Sequence, residues 1–247
     1  MFYIVATPIG NLEDFSFRAL KILKQVDYIF CEDTRVTRKL LDHYEIKNKK
    51  LEIYHQHSNE KKVKQLIEII KNNSVALVTD AGTPGISDPG NKLIKELTRL
   101  RSSESNLRSG GQALVLSNQI EIVPVPGVSA VTTALSISGL PADKFIFLGF
   151  VPHKKQRQKF LQQVLDVKTT VVFYESKYRI IKTLEQLNTL IQRGLNSDED
   201  RCEEKSFVVC RELTKKFETI YRGNINEVLE QVKNDVIKGE YVVVASK

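Results

Sequence analysis

The stretch VALVTDAGTPGISDPG, residues 75–90, begins as an apolar strand and ends in a loop crowded with glycine, proline and aspartate. The thirteen residues that follow 75–77 hold three glycines, two prolines and two aspartates. A plain turn needs one or two such residues, whereas glycine lets bare backbone approach another molecule closely. We therefore interpret the end of this strand as a ligand-binding loop.

Short β-branched or aromatic runs alternate with helical patterns on both sides of this loop. The runs of the first half are residues 2–6, 28–31, 51–54, 75–79 and 120–125. Between the third and fourth runs, one helical stripe is formed by Val63, Leu66, Ile67 and Ile70. Such alternation predicts a parallel sheet that helices cover on both faces.

The second half repeats the alternation with a difference at its end. The runs 207–211 and 217–221 are separated by only a few residues, which predicts an antiparallel pair and a mixed sheet. A helix that ends at Gly139 precedes the change. The predicted fold class is α/β, with a parallel-sheet domain at 1–140 and a mixed-sheet domain at 141–247. Two polar segments, 99–119 and 192–206, are interpreted as surface insertions or mobile loops.

Composition narrows the function classes. The 247 residues carry a net charge of +7, which favours polyanionic partners such as nucleic acid. Cys31, Cys202 and Cys210 form no CxxC pair, so neither a disulfide framework nor a zinc ribbon is indicated. The N-terminus lacks the pattern of a signal peptide and no run is long enough to span a membrane, so we expect a cytoplasmic protein.

Four loops follow predicted strands at the edge where open parallel sheets bind ligands. They are residues 7–14, 32–41, 78–90 and 124–130. None contains GxGxxG, GxxxxGK[ST] or GxSxG, which argues against dinucleotide, P-loop and serine hydrolase chemistry. His55 and His57 have no third ligand partner in the pattern, so we expect no metal site.

Charged residues in two places suggest RNA contacts. Glu32 and Asp33 end a strand and open a helix, where acidic side chains can simply cap the helix. Arg35 and Arg38 share a face of that helix and could grip phosphates. In the second half, residues 153–159 include Lys154, Lys155 and Arg157 among five basic side chains, which favour contacts with an RNA backbone.

Taken in order, several of these stretches resemble the tetrapyrrole methylase superfamily. They are ATPIGNLED, CEDTRVTRKLL, VTDAGTPGISDPG, VPVPGVSAVTTALSISGLPADKF, VVFYES, RELTK and KGE. The resemblance covers the chain except the two polar insertions, and lies nearest the branch that methylates a cytidine ribose at its 2′-oxygen in the decoding region of small-subunit (16S) rRNA. It implies a class III methyltransferase fold that binds S-adenosylmethionine between two domains, and a homodimer.

The resemblance also implies which residues meet the cofactor. In the first domain they are Pro8, Gly10, Asp80, Gly82, Pro84, Ile86, Ser129 and Ala130. In the second they are Tyr174, Leu213, Thr214, Gly239 and Glu240. The sequence departs from the family at FYESKYR, where Tyr178 replaces a histidine, and at HQHSN, which has one extra residue.

A sulfonium methyl group is already activated, so the enzyme mainly aligns it with the 2′-hydroxyl, and a nearby group accepts the hydroxyl proton. Asp33, Asp80 and Glu175 are the candidates for that base. Two alternatives remain open from the sequence: a methylase that acts on carbon of a tetrapyrrole ring, and a nucleic-acid-binding module without catalysis.

Overall fold

The structure is a computed structural model that describes residues 1–106, 120–195 and 205–247. The chain divides into two compact units, Met1–Ser129 and Ala130–Lys247. Of the two predicted insertions, residues 107–119 and 196–204, with Cys202, lie outside the described residues. Residues 99–106 and 192–195 do not form loops as predicted, because each continues a helix.

The first unit alternates strand and helix, as the sequence predicts. Its elements are β1 (Phe2–Val5), α1 (Phe17–Gln25), β2 (Tyr28–Cys31), α2 (Thr34–His43), β3 (Lys50–Ile53), α3 (Glu60–Asn72), β4 (Val75–Leu77), α4 (Asn91–Asn106) and β5 (Ile122–Val125). The five strands form a sheet in the order β3-β2-β4-β1-β5, and every pair is parallel. The prediction of a parallel sheet is confirmed.

Apolar side chains place the helices on opposite faces of this sheet. Those of α1 and α2 pack with Val5, Ile29 and Cys31. Those of α3 and α4 pack with a second set that includes Phe2 and Phe30. Alternate strand residues point to opposite faces, so two apolar layers sandwich the sheet. The predicted stripe on α3 is buried throughout.

The neighbouring strands β1 and β4 send their connections to opposite faces of the sheet. The chain leaves β1 toward α1 and leaves β4 toward α4, which belong to different apolar layers. Such a reversal between adjacent parallel strands opens a crevice at their carboxyl ends, where open α/β sheets bind ligands. The quoted loop, residues 78–90, begins at this point.

The second unit contains a mixed sheet. Its elements are α5 (Ala130–Ser138), β6 (Phe145–Phe150), α6 (Arg157–Asp166), β7 (Thr170–Ser176), α7 (Ile180–Leu195), β8 (Ser206–Arg211), β9 (Thr219–Gly223), α8 (Ile225–Lys233) and β10 (Glu240–Ser246). The strand order is β6-β7-β10-β8-β9, with β6 and β7 parallel and the other pairs antiparallel. The predicted antiparallel pair, β8 with β9, is confirmed.

Helix α5 contacts β10 and β7 and so falls within the second unit. It ends at Ser138, and the next residue, Gly139, has a φ of +74°, the left-handed conformation that follows many helices. The predicted domain boundary near residue 140 lies after this helix. The division of the chain into two compact units lies before it, between Ser129 and Ala130. In the described ranges, no helix is both long and apolar enough to cross a membrane.

Candidate functional site

Three loops of the first unit are tied together at the carboxyl ends of β4, β1 and β5. Thr7 and Gly82 exchange both backbone hydrogen bonds, at 2.9 and 3.0 Å. The Thr7 hydroxyl donates to the Thr79 carbonyl oxygen at 3.0 Å. The Thr83 hydroxyl donates to the Val128 carbonyl oxygen at 2.9 Å. These bonds fix the relative positions of loops that are far apart in sequence.

Glycine is required at two points of this arrangement. Gly82 has a φ of +84°, a conformation that costs an L-residue about 1–2 kcal/mol. A β-carbon at Gly127 would lie 2.9 Å from the Ala6 β-carbon, which has no rotamer by which to move away. The loops therefore meet through bare backbone, and this supports the interpretation of residues 78–90 as a ligand-binding loop.

Asp33 caps α2 and is held in an ion pair. Its Oδ1 accepts from the Arg35 backbone N–H at 2.8 Å, and its Oδ2 lies 2.6 Å from the Arg35 Nη2. The side-chain hydrogen bond from Arg35 lowers the pKa of Asp33 to about 2. The predicted cap is confirmed, and this carboxylate holds a proton only weakly.

Asp80, at the start of the quoted loop, lies beside Asp33. Its Oδ1 accepts the Asp33 backbone N–H at 3.2 Å, so the ends of β2 and β4 are joined. Partial burial raises the pKa of Asp80, and the negative charge of Asp33 raises it further. Asp80 thus has a stronger affinity for a proton than Asp33 has.

Two more carboxyl groups contribute to the same edge. Burial, followed by the charges of Glu32 and Asp80, raises the pKa of Asp88 to about 7. Burial and the charge of Asp80 also raise the pKa of Glu32. The sequence predicts Asp88 only as a loop residue. Its place in SDPG indicates a turn, but no local pattern indicates that the carboxyl groups of Glu32 and Asp80 lie near it. The edge therefore carries negative charge that suits a cationic ligand.

The other cofactor residues predicted for the first unit lie in the same loops. Pro8 and Pro84 are buried, Gly10 and Ile86 are exposed, and Ser129 is half-buried just after Val128. Ala130, also half-buried, begins α5 and so belongs to the second unit. His55 and His57 are exposed and follow the end of β3, so they lie in a turn rather than on a strand. Among the described residues, no three His, Cys, Asp or Glu side chains are grouped to hold a metal ion.

In the second unit, Glu175 is a buried structural residue. It is 1% exposed, and its carboxylate lies 2.8 Å from the Arg179 Nη2 and 3.4 Å from the Arg157 Nη1. It also accepts from the Thr183 hydroxyl at 2.6 Å and from the Ser176 backbone N–H at 2.7 Å. A carboxylate enclosed by these donors does not meet a substrate hydroxyl, so the prediction of Glu175 as a base is corrected.

Arg157 requires the same correction. Its side chain is 8% exposed and donates to the Gln186 side chain at 2.7 Å and to the Thr183 hydroxyl at 2.6 Å. Because the guanidinium faces the interior, it is not available to an RNA phosphate. The remaining predicted RNA-binding residues are exposed; they are Arg35, Arg38, Lys154 and Lys155.

The segments that carry most of the other cofactor-binding residues predicted for the second unit lie next to each other. The Glu212 backbone N–H donates to the Glu240 carbonyl oxygen at 3.0 Å, and Lys215 Nζ lies 2.8 Å from the Glu240 carboxylate. Thr214 has a φ of +66°, and a β-carbon at Gly239 would overlap the Glu212 side chain. Leu213, which lies between Glu212 and Thr214 in the chain, is buried. Tyr174 is half-buried and packs edgewise against the rings of Phe147 and Phe150.

Comparison with known proteins supplies the family. The chain matches the family model described as Tetrapyrrole (Corrin/Porphyrin) Methylases over residues 1–104 and 106–229. The match to the family model therefore includes residues of both units.

Two relatives share the name "Ribosomal RNA small subunit methyltransferase I". The protein from Halalkalibacterium halodurans is 40% identical over 98% of this chain and 74% of its own length. The one from a Hydrogenobaculum species is 41% identical over 99% of this chain and 95% of its own length.

Among solved structures, the cobalamin biosynthetic enzyme cobalt precorrin-4 methyltransferase is similar, with a TM-score of 0.64. It is 19% identical, and the match covers 99% of this chain and 94% of that one. At this identity the likeness shows the fold alone.

Proposed function

Because the chain belongs to the tetrapyrrole (corrin/porphyrin) methylase family, we propose that it transfers a methyl group from S-adenosylmethionine to the 2′-oxygen of a cytidine ribose in small-subunit (16S) rRNA. One observation carries the choice of substrate. Identity near 40% extends over almost the whole chain to proteins named as small-subunit rRNA methyltransferases. The similar tetrapyrrole enzyme is only 19% identical.

The first unit suits the proposed cofactor. When bound, S-adenosylmethionine supplies a methyl group on a positively charged sulfur, and it also carries an ammonium group. The carboxylates of Glu32 and Asp80 give the carboxyl edge of the sheet a negative charge that attracts such cations, and Asp88 adds to it as pH rises through its pKa of about 7. Gly82 and Gly127 keep side chains away from the place where the loops meet, so backbone groups are left to contact the ligand.

We propose Asp80 as the group that receives the proton of the ribose hydroxyl. A neutral hydroxyl is a poor nucleophile, and a positioned base contributes about 10²–10⁴-fold to such a reaction. Asp33 is held by Arg35 with a pKa of about 2, which makes it a weak base. The pKa of Asp80 is raised instead, so at neutral pH an ionised Asp80 accepts a proton more readily.

The exposed cations on two elements support an RNA substrate. Arg35 and Arg38 lie on α2, whose first residues follow Asp33. Lys154 and Lys155 precede α6 and are also exposed. Lysine and arginine bind phosphates and position a nucleic acid without reading its sequence. The homodimer, the cytoplasmic location and the second-unit cofactor contacts stay predictions.

The test is methyl transfer to a defined acceptor. Purified protein is incubated with S-adenosylmethionine labelled in the methyl group and with small ribosomal subunits from cells that lack the enzyme. We expect mass spectrometry of the digested rRNA to find the label in 2′-O-methylcytidine.

A parallel reaction with a porphyrinogen precursor tests the ring-methylase alternative. Label on the ring and none on the RNA would contradict the proposed substrate. Absence of any cofactor binding in calorimetry would contradict methyl transfer altogether and would favour a binding module.

A further inference from the structure

Exposed aromatic and basic side chains lie together at the carboxyl ends of β6 and β7. Phe150 is the last residue of β6 and is 56% exposed, and Tyr178 follows β7 and is 84% exposed. Lys154 and Lys155 are exposed in the chain after Phe150, and Lys177, which is half-buried, precedes Tyr178. We call these five residues the aromatic–basic edge.

Hydrogen bonds hold the two segments of this edge against each other. The Val151 backbone N–H donates to the Tyr174 carbonyl oxygen at 3.2 Å, and Arg179 Nη1 donates to the Val151 carbonyl oxygen at 2.9 Å. The same guanidinium is anchored by the buried carboxylate of Glu175. The exposed residues therefore extend from a fixed backbone, and this gives the buried Glu175 network a purpose in the fold.

The two exposed rings have support from their neighbours. The ring centroid of Phe150 lies 5.1 Å from that of Tyr174, at an interplanar angle of 63°. Tyr174 lies 4.9 Å from Phe147 in a similar edgewise contact. Lys177 Nζ lies 5.0 Å from the centre of the Tyr178 ring. These contacts orient both rings while leaving much of their surface in water, where large apolar area is not stabilised.

We infer that the aromatic–basic edge binds unpaired nucleotides of the RNA substrate, with Tyr178 and Phe150 stacking on bases and the three lysines contacting phosphates. This inference rests on the proposed function. Single-stranded RNA presents base faces and closely spaced negative charges together, and aromatic rings beside cations match both features. A duplex hides its base faces, so the edge selects unpaired RNA.

The test compares substitutions in binding to two RNA probes. The probes are a short fluorescein-labelled single-stranded oligocytidylate and the same sequence in a duplex, and binding is followed by fluorescence anisotropy over a range of salt concentrations. We expect Tyr178→Ala and Phe150→Ala each to weaken single-strand binding by roughly 5- to 100-fold, with little effect on the duplex. Tyr178→Phe keeps the ring and is expected to bind as the parent protein does.

The salt dependence separates stacking from phosphate contacts. An aromatic ring neutralises no phosphate, so its removal does not change the number of counterions released on RNA binding. The slope of log affinity against log salt is therefore expected to stay as in the parent protein. Lys154→Ala or Lys155→Ala is expected to reduce that slope by about 0.7. Phe145→Ala serves as the matched control, because Phe145 is 41% exposed at the opposite end of β6. Its affinity for RNA is expected to be unchanged.

The outcomes distinguish this inference from the proposed function. If the parent protein binds oligocytidylate and both alanine variants bind it equally tightly, the inference is overturned and the proposed function stands. Equal weakening on the duplex would also overturn stacking on unpaired bases. If the parent protein binds neither probe and methylates no RNA, both proposals fall. Unchanged affinity of Tyr178→Ala for S-adenosylmethionine would show that the variant is folded.

Discussion

Replacing Gly82 by alanine tests whether the backbone conformation of the quoted loop is needed for cofactor binding. The added β-carbon would lie 3.5 Å from Ile9 Cγ2 and 3.8 Å from the Val128 carbonyl oxygen, which are ordinary contacts. The penalty therefore comes from the φ of +84°, at about 1–2 kcal/mol. If the loop leaves this conformation to escape that penalty, the two Thr7–Gly82 hydrogen bonds break. The affinity for S-adenosylmethionine is then expected to fall by up to roughly 5- to 30-fold.

Gly139→Ala is the matched control for this prediction. Gly139 has a φ of +74° and no atom within 4 Å of an added β-carbon, so the conformational penalty is the same. Gly139 ends α5, whereas Gly82 pairs with Thr7. Calorimetry should show weakened cofactor binding for Gly82→Ala alone, while chemical denaturation shows a similar loss of stability in both variants. Equal cofactor affinity in the two variants would refute the reasoning.

Three further predictions concern the carboxyl groups. Glu175→Gln is expected to lower the free energy of unfolding by about 3 kcal/mol, measured by urea denaturation, because Arg157 and Arg179 would keep no anionic partner there; a loss of activity without a loss of stability would contradict this structural role. Asp80→Asn is expected to lower kcat by about 10²–10⁴-fold and to remove the decline of kcat toward acid pH, since protonated Asp80 cannot accept a proton; an unchanged pH profile would exclude Asp80 as the base. The pKa of Asp88 is raised from 3.8 to about 7, so the folded state binds the proton more tightly. The free energy of unfolding that this proton contributes is lost as pH rises from 3.8 to about 7, by at most ~1.4 kcal/mol per pH unit. Asp88→Asn should flatten that decline in pH-dependent denaturation.

The shared position of the loops at one edge of the first sheet could be predicted from the sequence, because the strand pattern and the turn residues both indicate a parallel sheet. Apolar runs fixed the strand positions, and glycine and proline marked where each strand ended. In a parallel sheet those ends share one edge, so the meeting of residue 7 with residue 82 follows from topology. The cap at Asp33 was predictable for a similar reason, since it depends on residues next to it in the chain.

The burial of Glu175 and Arg157 was not predictable from local signals. Both look like exposed charges in the sequence, and the groups that satisfy them, Thr183 and Gln186, come from the following helix. Only the packing of α6 and α7 on the sheet makes that network possible. The raised pKa of Asp88 has the same origin, because burial depends on how the loop folds over the end of β4.

The connections from α4 to β5 and from α7 to β8 enter their strands at the amino ends. Lys205, just before β8, is buried and its Nζ donates to the Val167 carbonyl oxygen at 2.6 Å, which secures the chain where it rejoins the sheet. Thr7, Asp80 and Tyr178 all follow the opposite ends of their strands. Changes made where the described chain enters β5 and β8 are therefore separated from the ligand loops and the aromatic–basic edge by the length of a strand.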